Sequence, residues 1–292
     1  MRIKAYGITD KGLQRSENED CFAYSMHLPD WSCAESSCIK VTDMGSVFVV
    51  ADGMGGETAG SIASSLAVDT VKKRFSTPEL REKTGSEKGI FAFLQQVVTD
   101  ANDVIMEAVQ KDLSLFGMGT TIVICWVLKE RAYIAWCGDS RCYLLDSQQR
   151  LKCLTKDHSL VQELIDSNTI SEAESYTHPD SGVITRCLGG DGTTAIPGLV
   201  SCDIHPHEQL LLCSDGLCGY CTNKNIQNVL RRESSDIKKT CKALLQLALE
   251  VGGYDNITIV NIELMGNDEN NSRISLKERV REWMNFHCCL QL

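Results

Sequence analysis

At 292 residues and 43% apolar side chains, the chain can form one large domain or two small ones around a sizeable core. Its formal charge is −10 and it carries no basic stripe, which argues against non-specific nucleic-acid binding. No apolar run approaches the ~20 residues that span a bilayer, and Met1-Arg2-Ile3-Lys4-Ala5-Tyr6 lacks a signal-peptide apolar core, so a cytoplasmic protein without a transmembrane segment is expected.

In chain order, Ile3 to Ile8, Cys21 to Tyr24 and Val47 to Ala51 read as short strands bounded by turn residues. A helix starts near Glu57, with Ala59, Ile62, Ala63, Leu66, Val71 and Phe75 at helical spacing and Pro78 beyond its end. A second runs from about Glu87 to Gln110, with Phe91, Leu94, Val98, Ala101, Ile105 and Ala108 along one face. Strands follow at Thr120 to Leu128, Ala132 to Cys137 and Arg141 to Leu145, joined by the hairpin connections 129–131 and 146–149.

Ser159 is placed to cap a helix carrying Leu160, Val161, Leu164 and Ile165. Ser171-Glu172-Ala173-Glu174 has the form of a capping box. Tyr176 to Val200, rich in Gly, Pro, Asp and Thr, reads as loop. Glu208 to Cys213 is a buried strand, Asp236 to Val251 an amphipathic helix ended by Gly252-Gly253, and Ile257 to Leu264 the last strand. Hairpin-joined strands with helices between the strand blocks favour antiparallel sheets with helices outside, not alternating βαβ units. One domain is expected over 1–264. Residues 265–292 are an extension, polar at first and then helical from Ile274 to Leu292.

Short acidic clusters close several strand-like runs: Asn18-Glu19-Asp20, Asp52-Gly53-Met54-Gly55-Gly56, Ser214-Asp215-Gly216 and Asp255-Asn256, with Gly138-Asp139-Ser140-Arg141 a candidate fifth. An Asp-Gly pair alone is usually a turn. Carboxylates converging from several strand ends, however, make an all-oxygen site for hard cations such as Mg²⁺ or Mn²⁺, the geometry of a two-metal hydrolase. The 15 Cys lie largely in apolar runs, as at Cys125, Cys137 and Cys213, and read as reduced thiols. Cys218-Gly219-Tyr220-Cys221 has redox spacing without the βαβ pattern that a redox motif needs. His158 reads as structural.

These clusters, in this order, resemble the metal-dependent protein phosphatases of the protein phosphatase 2C type, above all the compact bacterial ones. The match begins at Thr9-Asp10-Lys11-Gly12 and Arg15-Ser16-Glu17-Asn18-Glu19-Asp20 and continues through Asp52-Gly53-Met54-Gly55-Gly56, Gly117-Met118-Gly119-Thr120-Thr121 and Gly138-Asp139-Ser140-Arg141. Leu154-Thr155-Lys156-Asp157-His158-Ser159, Thr185-Arg186-Cys187-Leu188-Gly189, Ser214-Asp215-Gly216-Leu217 and Asp255-Asn256-Ile257-Thr258 complete it.

The resemblance implies an α+β fold: a four-layer α-β-β-α sandwich of two antiparallel sheets flanked by helices, with the metal site at one end. It implies two Mn²⁺ or Mg²⁺ ions sharing Asp52, with the Gly53 carbonyl, Asp215 and Asp255 as ligands and Glu19 and Asp20 near the other ion. A third ion would use Asp139, and Arg15 would clamp the substrate phosphate. The implied activity is hydrolysis of phosphoserine and phosphothreonine in proteins by a metal-bridged hydroxide, in a monomer opposed by a serine/threonine kinase. Ile165 to Gly182 matches the family's variable flap. The chain departs from the pattern at Met54, where animal relatives carry His, and at Gly219, where relatives often carry Asp or Asn, which weighs against a filled third site. A non-catalytic phosphatase-like binding module and a hydrolase of small phosphate esters stay as alternatives. The first is expected to lose Asp52, Asp215 or Asp255, and the second to enclose its substrate.

Overall fold

The computed structural model describes residues 1–31, 38–55, 59–77, 80–190, 195–233 and 236–266. Gly56, the expected helix start near Glu57, Pro78 and the expected helix from Ile274 to Leu292 lie outside them. In chain order the strands are β1 (Arg2–Asp10), β2 (Asp20–Ser25), β3 (Ile39–Lys40), β4 (Ser46–Met54), β5 (Gly119–Thr120), β6 (Ile122–Leu128), β7 (Arg131–Cys137), β8 (Arg141–Leu145), β9 (Leu151–Cys153), β10 (Leu188–Gly189), β11 (Gly198–Asp203), β12 (Gln209–Cys213) and β13 (Ile257–Met265). The helices are α1 (Ala59–Phe75), α2 (Leu80–Lys83), α3 (Glu87–Lys111), α4 (Leu160–Asp166), α5 (Glu172–Ser175), α6 (Asp215–Cys218), α7 (Asn223–Arg232) and α8 (Ile237–Glu250).

The strands form two sheets, paired antiparallel throughout. One runs β3-β1-β13-β12-β8-β9. The other runs β10-β5-β4-β6-β7-β11, with β2 on the free side of β4. Side chains alternate across each strand, so each sheet buries two faces. Phe48, Val50, Val123, Cys125 and Ile134 of one sheet meet Ile3, Cys142, Leu212, Val260 and Ile262 of the other in the central core. The opposite face of β4 and β6, with Val47, Val49, Ile124 and Trp126, is covered by α1 and α3. The outer face of β8, β12 and β13 is covered by α6, α7 and α8. This is the four-layer α-β-β-α sandwich. Strands buried on both faces explain the continuous apolar runs in β6 and β12, where no polar alternation marks an exposed side.

Local signals account for much of the detail. Ser159 caps α4 by accepting the Gln162 amide, and Ser171 with Glu174 forms the expected capping box at α5. The loop expected over Tyr176 to Val200 instead contains β10 and the start of β11. These strands form because β5 and β7 offer free edges, and that demand does not show in local composition. Helix α7 also went unread. Thr222 caps it, and Ile226, Val229 and Leu230 face the core. Thr120 to Leu128, expected as one strand, divides at Thr121, whose amide donates to the Asp52 carbonyl at 2.8 Å.

Trp126 anchors the α1/α3 layer. It is fully buried, its indole N–H donates to the Met44 carbonyl at 2.9 Å, and its ring meets Phe75 edge-on at 5.0 Å. Trp126→Ala is expected to lower stability by about 3–5 kcal/mol, because the emptied volume lies between a sheet and two helices that cannot close on it independently. Urea unfolding followed by circular dichroism measures this, and a loss under about 1 kcal/mol would be typical of an unanchored surface position instead.

Candidate metal centre

Because neighbouring strands run antiparallel, the C-terminal ends of β1, β4, β7 and β12 and the N-terminal ends of β2, β6, β8 and β13 lie at one end of the sandwich. Every carboxylate cluster falls there. Asp20 opens β2 directly opposite Asp52 in β4. Asp139 sits between β7 and β8, Asp215 follows β12 as the first residue of α6, and Asp255 precedes β13. Asp52, Asp139, Asp215 and Asp255, together with Arg15, Glu19 and Gly53, line a cleft of about 430 Å³.

Burial and mutual repulsion dominate the electrostatics. Desolvation, then the neighbouring Asp215 and Asp255, raises Asp20 to about 7, even though Thr258 and Ser214 hydroxyls bond it. Asp215 is raised to about 6, first by burial and then by Asp255. Burial, then Asp20, Asp215 and Asp139, pushes Asp52 well up, and burial followed by Asp215 does the same to Asp139. Glu19 is raised more modestly, first by burial. One carboxylate oxygen of each of Glu19, Asp20, Asp139 and Asp215 is buried without a hydrogen-bond partner. Buried acceptors without donors are costly. Oxygen-only donors clustered in this way fit hard divalent cations, which would satisfy the orphaned oxygens and offset the charge. Among the described residues no three such groups already stand in a closed ligand shell. The donors ring the cleft and do not converge on a point.

The scaffold around the carboxylates is built from neutral residues of the same motifs. The Asp52 carbonyl accepts from the Thr121 amide and from the Thr120 hydroxyl at 2.9 Å, and the Asp52 amide donates to the Thr121 hydroxyl at 3.1 Å. Ser214 heads α6 but gives it no side-chain cap. Its hydroxyl instead donates to Asp20 Oδ2 at 2.7 Å and accepts from the Thr258 amide at 2.9 Å. The buried Asn256 side chain accepts from the Glu19 amide at 2.8 Å and donates to the Lys11 and Glu17 carbonyls at 3.0 and 2.8 Å. It thereby fixes the segment after β1 against the one before β13. A Cβ on Gly53 would collide with the Gly60 and Glu19 carbonyls, so only glycine lets β4 pass this close to α1.

Arg15, the expected phosphate clamp, stands on the rim with its side chain 54% exposed and is ion-paired to Asp255 Oδ2 at 2.6 Å. Arg141, which the sequence reading gave no role, forks onto Asp157 at 2.8 and 2.7 Å and donates to the Tyr143 hydroxyl. This pair holds the β8 start beside Asp139. His158 is structural: it accepts the Gly138 amide and stacks on Trp136 at 5.8 Å, while burial and then Arg186 hold its pKa down at about 4. Cys218 and Cys221 are buried free thiols in the α6/α7/α8 core; the contact with Cys213 and then burial raise Cys218, and burial raises Cys221 to about 12. They make an unreactive pair. The roles of Ser214, Asn256, Thr120 and Thr121 were missed, although each sits beside a carboxylate in its motif. That adjacency was the available signal.

The family model described as protein phosphatase 2C matches residues 31–252. The serine/threonine phosphatase stp of Listeria welshimeri is 32% identical over 257 residues, covering 87% of this chain and 93% of that protein. Protein phosphatase PhpP of Streptococcus pneumoniae is 29% identical over 261 residues, covering 89% and 97%. Among solved structures, the Mycobacterium tuberculosis serine/threonine phosphatase PstP superposes with a TM-score of 0.75 at 29% identity, covering 91% of this chain and all of that one. The catalytic domain of PstP in complex with two manganese ions superposes with a TM-score of 0.73 at 28% identity, covering 91% and 99%.

The raised carboxylates set a sign for pH dependence. Asp20 and Asp215 hold protons in the folded protein up to about 7 and 6, against an ordinary 3.8. Between these limits the folded state binds more protons than the unfolded chain, so this contribution is full below the ordinary value and declines as pH rises through the folded ones. In EDTA, melting temperature is therefore expected to fall more steeply from about pH 4 to 6 in the native chain than in Asp215→Asn, and Mn²⁺ at about pH 8 should restore it only in the native chain. Equal slopes in thermal melts would remove Asp215 as a repelled carboxylate. Ser214→Ala or Asn256→Ala should weaken Mn²⁺ binding by about 10–100-fold in titration calorimetry, as loss of outer-shell support does elsewhere.

Proposed function

This chain belongs to the protein phosphatase 2C family, and we propose that it removes phosphate from phosphoserine and phosphothreonine in proteins, with the cleft around Asp52 as the reaction centre. The observation that carries this reading is the set of carboxylates from five separate segments gathered at one end of the sandwich, where Glu19, Asp20, Asp139 and Asp215 each keep a buried oxygen without a hydrogen-bond partner. Such a cluster is a folding liability unless cations complete it.

We assign Asp52 as a ligand shared by two ions and the Gly53 carbonyl as a further ligand, with Asp215 and Asp255 completing the protein ligands of one ion and Glu19 and Asp20 placed near the other. Asp139 is a candidate for a third, and Mn²⁺ is favoured over Mg²⁺ by the manganese-bound PstP structure. Bound there, two cations would lower the pKa of a water and offset charge on the phosphoryl oxygens. The chain's own residues then position the substrate. Arg15, exposed on the rim and ion-paired through Nη2 to Asp255, has further guanidinium N–H groups to present to a phosphate. Met54, which lines the cleft, offers no proton, so none of the leaving-group chemistry is assigned to it.

The rim residues Arg15, Gly55 and Tyr220 are exposed, so the cleft opens to solvent. That favours a protein substrate over a small ester held in an enclosed pocket, and the retention of Asp52, Asp215 and Asp255 disfavours a purely binding role. No helix among the described residues is long and apolar enough to cross a membrane. The described cysteines are free thiols, which supports a cytoplasmic location. An opposing serine/threonine kinase and a monomeric state complete the reading.

Turnover of a phosphothreonine peptide should stop in EDTA and return with Mn²⁺. Asp52→Asn should lower kcat/KM by several kcal/mol in barrier, on the order of 10³-fold. A folded Asp52→Asn protein with near-native rates would move the chemistry elsewhere. Arg15→Ala should act mainly through a raised KM for phosphopeptides, about 10–100-fold for a lost charge-assisted contact. We place the catalytic unit in residues 1–264. A chain ending at Gly266 should keep its turnover of p-nitrophenyl phosphate, and loss of turnover with the fold intact would put 267–292 inside that unit.

A further inference from the structure

The rim beside Arg15 carries an apolar surface that the phosphatase chemistry does not use. Leu13, Tyr220 and Tyr254 are 65%, 40% and 52% exposed. The two tyrosine rings lie 5.3 Å apart, tilted by 38°. The Leu13 and Gln14 amides both donate to the Gly253 carbonyl, at 2.8 and 3.2 Å, which holds Leu13 beside the Tyr254 segment. Three residues from three distant parts of the chain are thus gathered on one edge. Scattered exposed apolar side chains need no explanation, whereas a contiguous group at the mouth of a site does.

The placement points to the occupant. Tyr220 lines the cleft itself, among Arg15, Asp215 and Asp255. The segments that present Leu13 and Tyr254 are the same ones that present Arg15 and Asp255, pinned together by Asn256. A phosphate held at the cleft mouth would therefore carry the neighbouring residues of its polypeptide across this surface. Tyrosine suits the task, with a broad rigid face ordered at low entropic cost and a polar edge that tolerates water when empty. We propose that Leu13, Tyr220 and Tyr254 form a platform for an apolar or aromatic side chain next to the phosphoserine or phosphothreonine of the substrate protein, and so select which phosphosites are hydrolysed. This rests on the reading of the cleft as a protein phosphatase centre.

The test uses the full chain with Mn²⁺, p-nitrophenyl phosphate, and phosphothreonine peptides carrying either Phe or Ser at each position flanking the phosphorylated residue. The native chain is expected to favour one Phe peptide by about tenfold in KM, the size of a modest aromatic hot spot. Leu13→Ser and Tyr254→Ser should erase that preference and leave p-nitrophenyl phosphate turnover unchanged, while Tyr254→Phe should retain it. Equal losses on p-nitrophenyl phosphate and on every peptide would make these residues merely structural and overturn the platform. So would a native chain indifferent to flanking Phe. A concentration-dependent dimer dispersed by Tyr254→Ser would reassign the surface to self-association. If the native chain turned over neither p-nitrophenyl phosphate nor any peptide, the phosphatase reading itself would fail, and the platform with it.

Discussion

Like charges held together at the edge of a low-dielectric core set the terms for the rest of this molecule. Asp20, Asp52, Asp139 and Asp215 repel one another, and burial raises every one of them. Among the described residues lining the cleft Arg15 is the only cation, and it is engaged with Asp255, while Arg141, which also acts on Asp139, is held by Asp157. Left to itself such a cluster would spread apart or draw in water. It holds because its members are attached to the ends of strands whose other residues are locked between layers. Ile259, Val260, Leu212 and Val50 have no exposure at all. A fully buried residue of this size contributes roughly 1.5–3 kcal/mol, and dozens of them oppose a handful of repelled carboxylates.

Holding a strand end in place does not by itself aim a carboxylate. That task falls to neutral hydrogen-bonding residues whose reach across the sequence is long. Ser214 joins Asp20 to Thr258, and Asn256 joins residues 11, 17 and 19 to the start of β13. Thr120 and Thr121 fix the Asp52 backbone from the neighbouring β5–β6 segment of the same sheet. Each of these bonds is satisfied within the protein, in contrast to the carboxylate oxygens they support. Satisfied neutral groups around unsatisfied charged ones are the pattern expected of a site prepared for cations.

The same economy extends to the rim. The turn after β1 carries Leu13 and Arg15, and the turn before β13 carries Tyr254 and Asp255, so one pair of neighbouring strand ends brings together a carboxylate proposed as metal ligand, a guanidinium proposed to meet the phosphate, and exposed apolar surface. Helix α6 adds Asp215 at its start and Tyr220 just past its end. Chemistry and recognition are therefore coupled through short covalent distances, and a change in the turn residues would shift selectivity with little effect on the sandwich behind them.

By itself the sequence determined the long, periodic elements and the identities of the acidic residues. Val47 to Ala51, Ala132 to Cys137, α3 and α8 were legible because burial on one or two faces imposes a pattern within each segment. Asp52, Asp215 and Asp255 were legible because carboxylates beside glycine and asparagine recur in a recognisable order. Tertiary structure alone decided the rest. Strands β10 and β11 exist because β5 and β7 offer them an edge, and two residues such as Leu188 and Gly189 carry no pattern of their own. Ser214 reads locally as a helix cap, yet its hydroxyl turns to Asp20, 194 residues away in sequence. Tyr220 lies in a segment that reads as cysteine spacing, and only its position beside Tyr254 and Arg15 gives it a place at the site. A local pattern records which side of an element is buried. Which distant group a side chain meets depends on how the sheets are ordered and in what register, and no single segment encodes that.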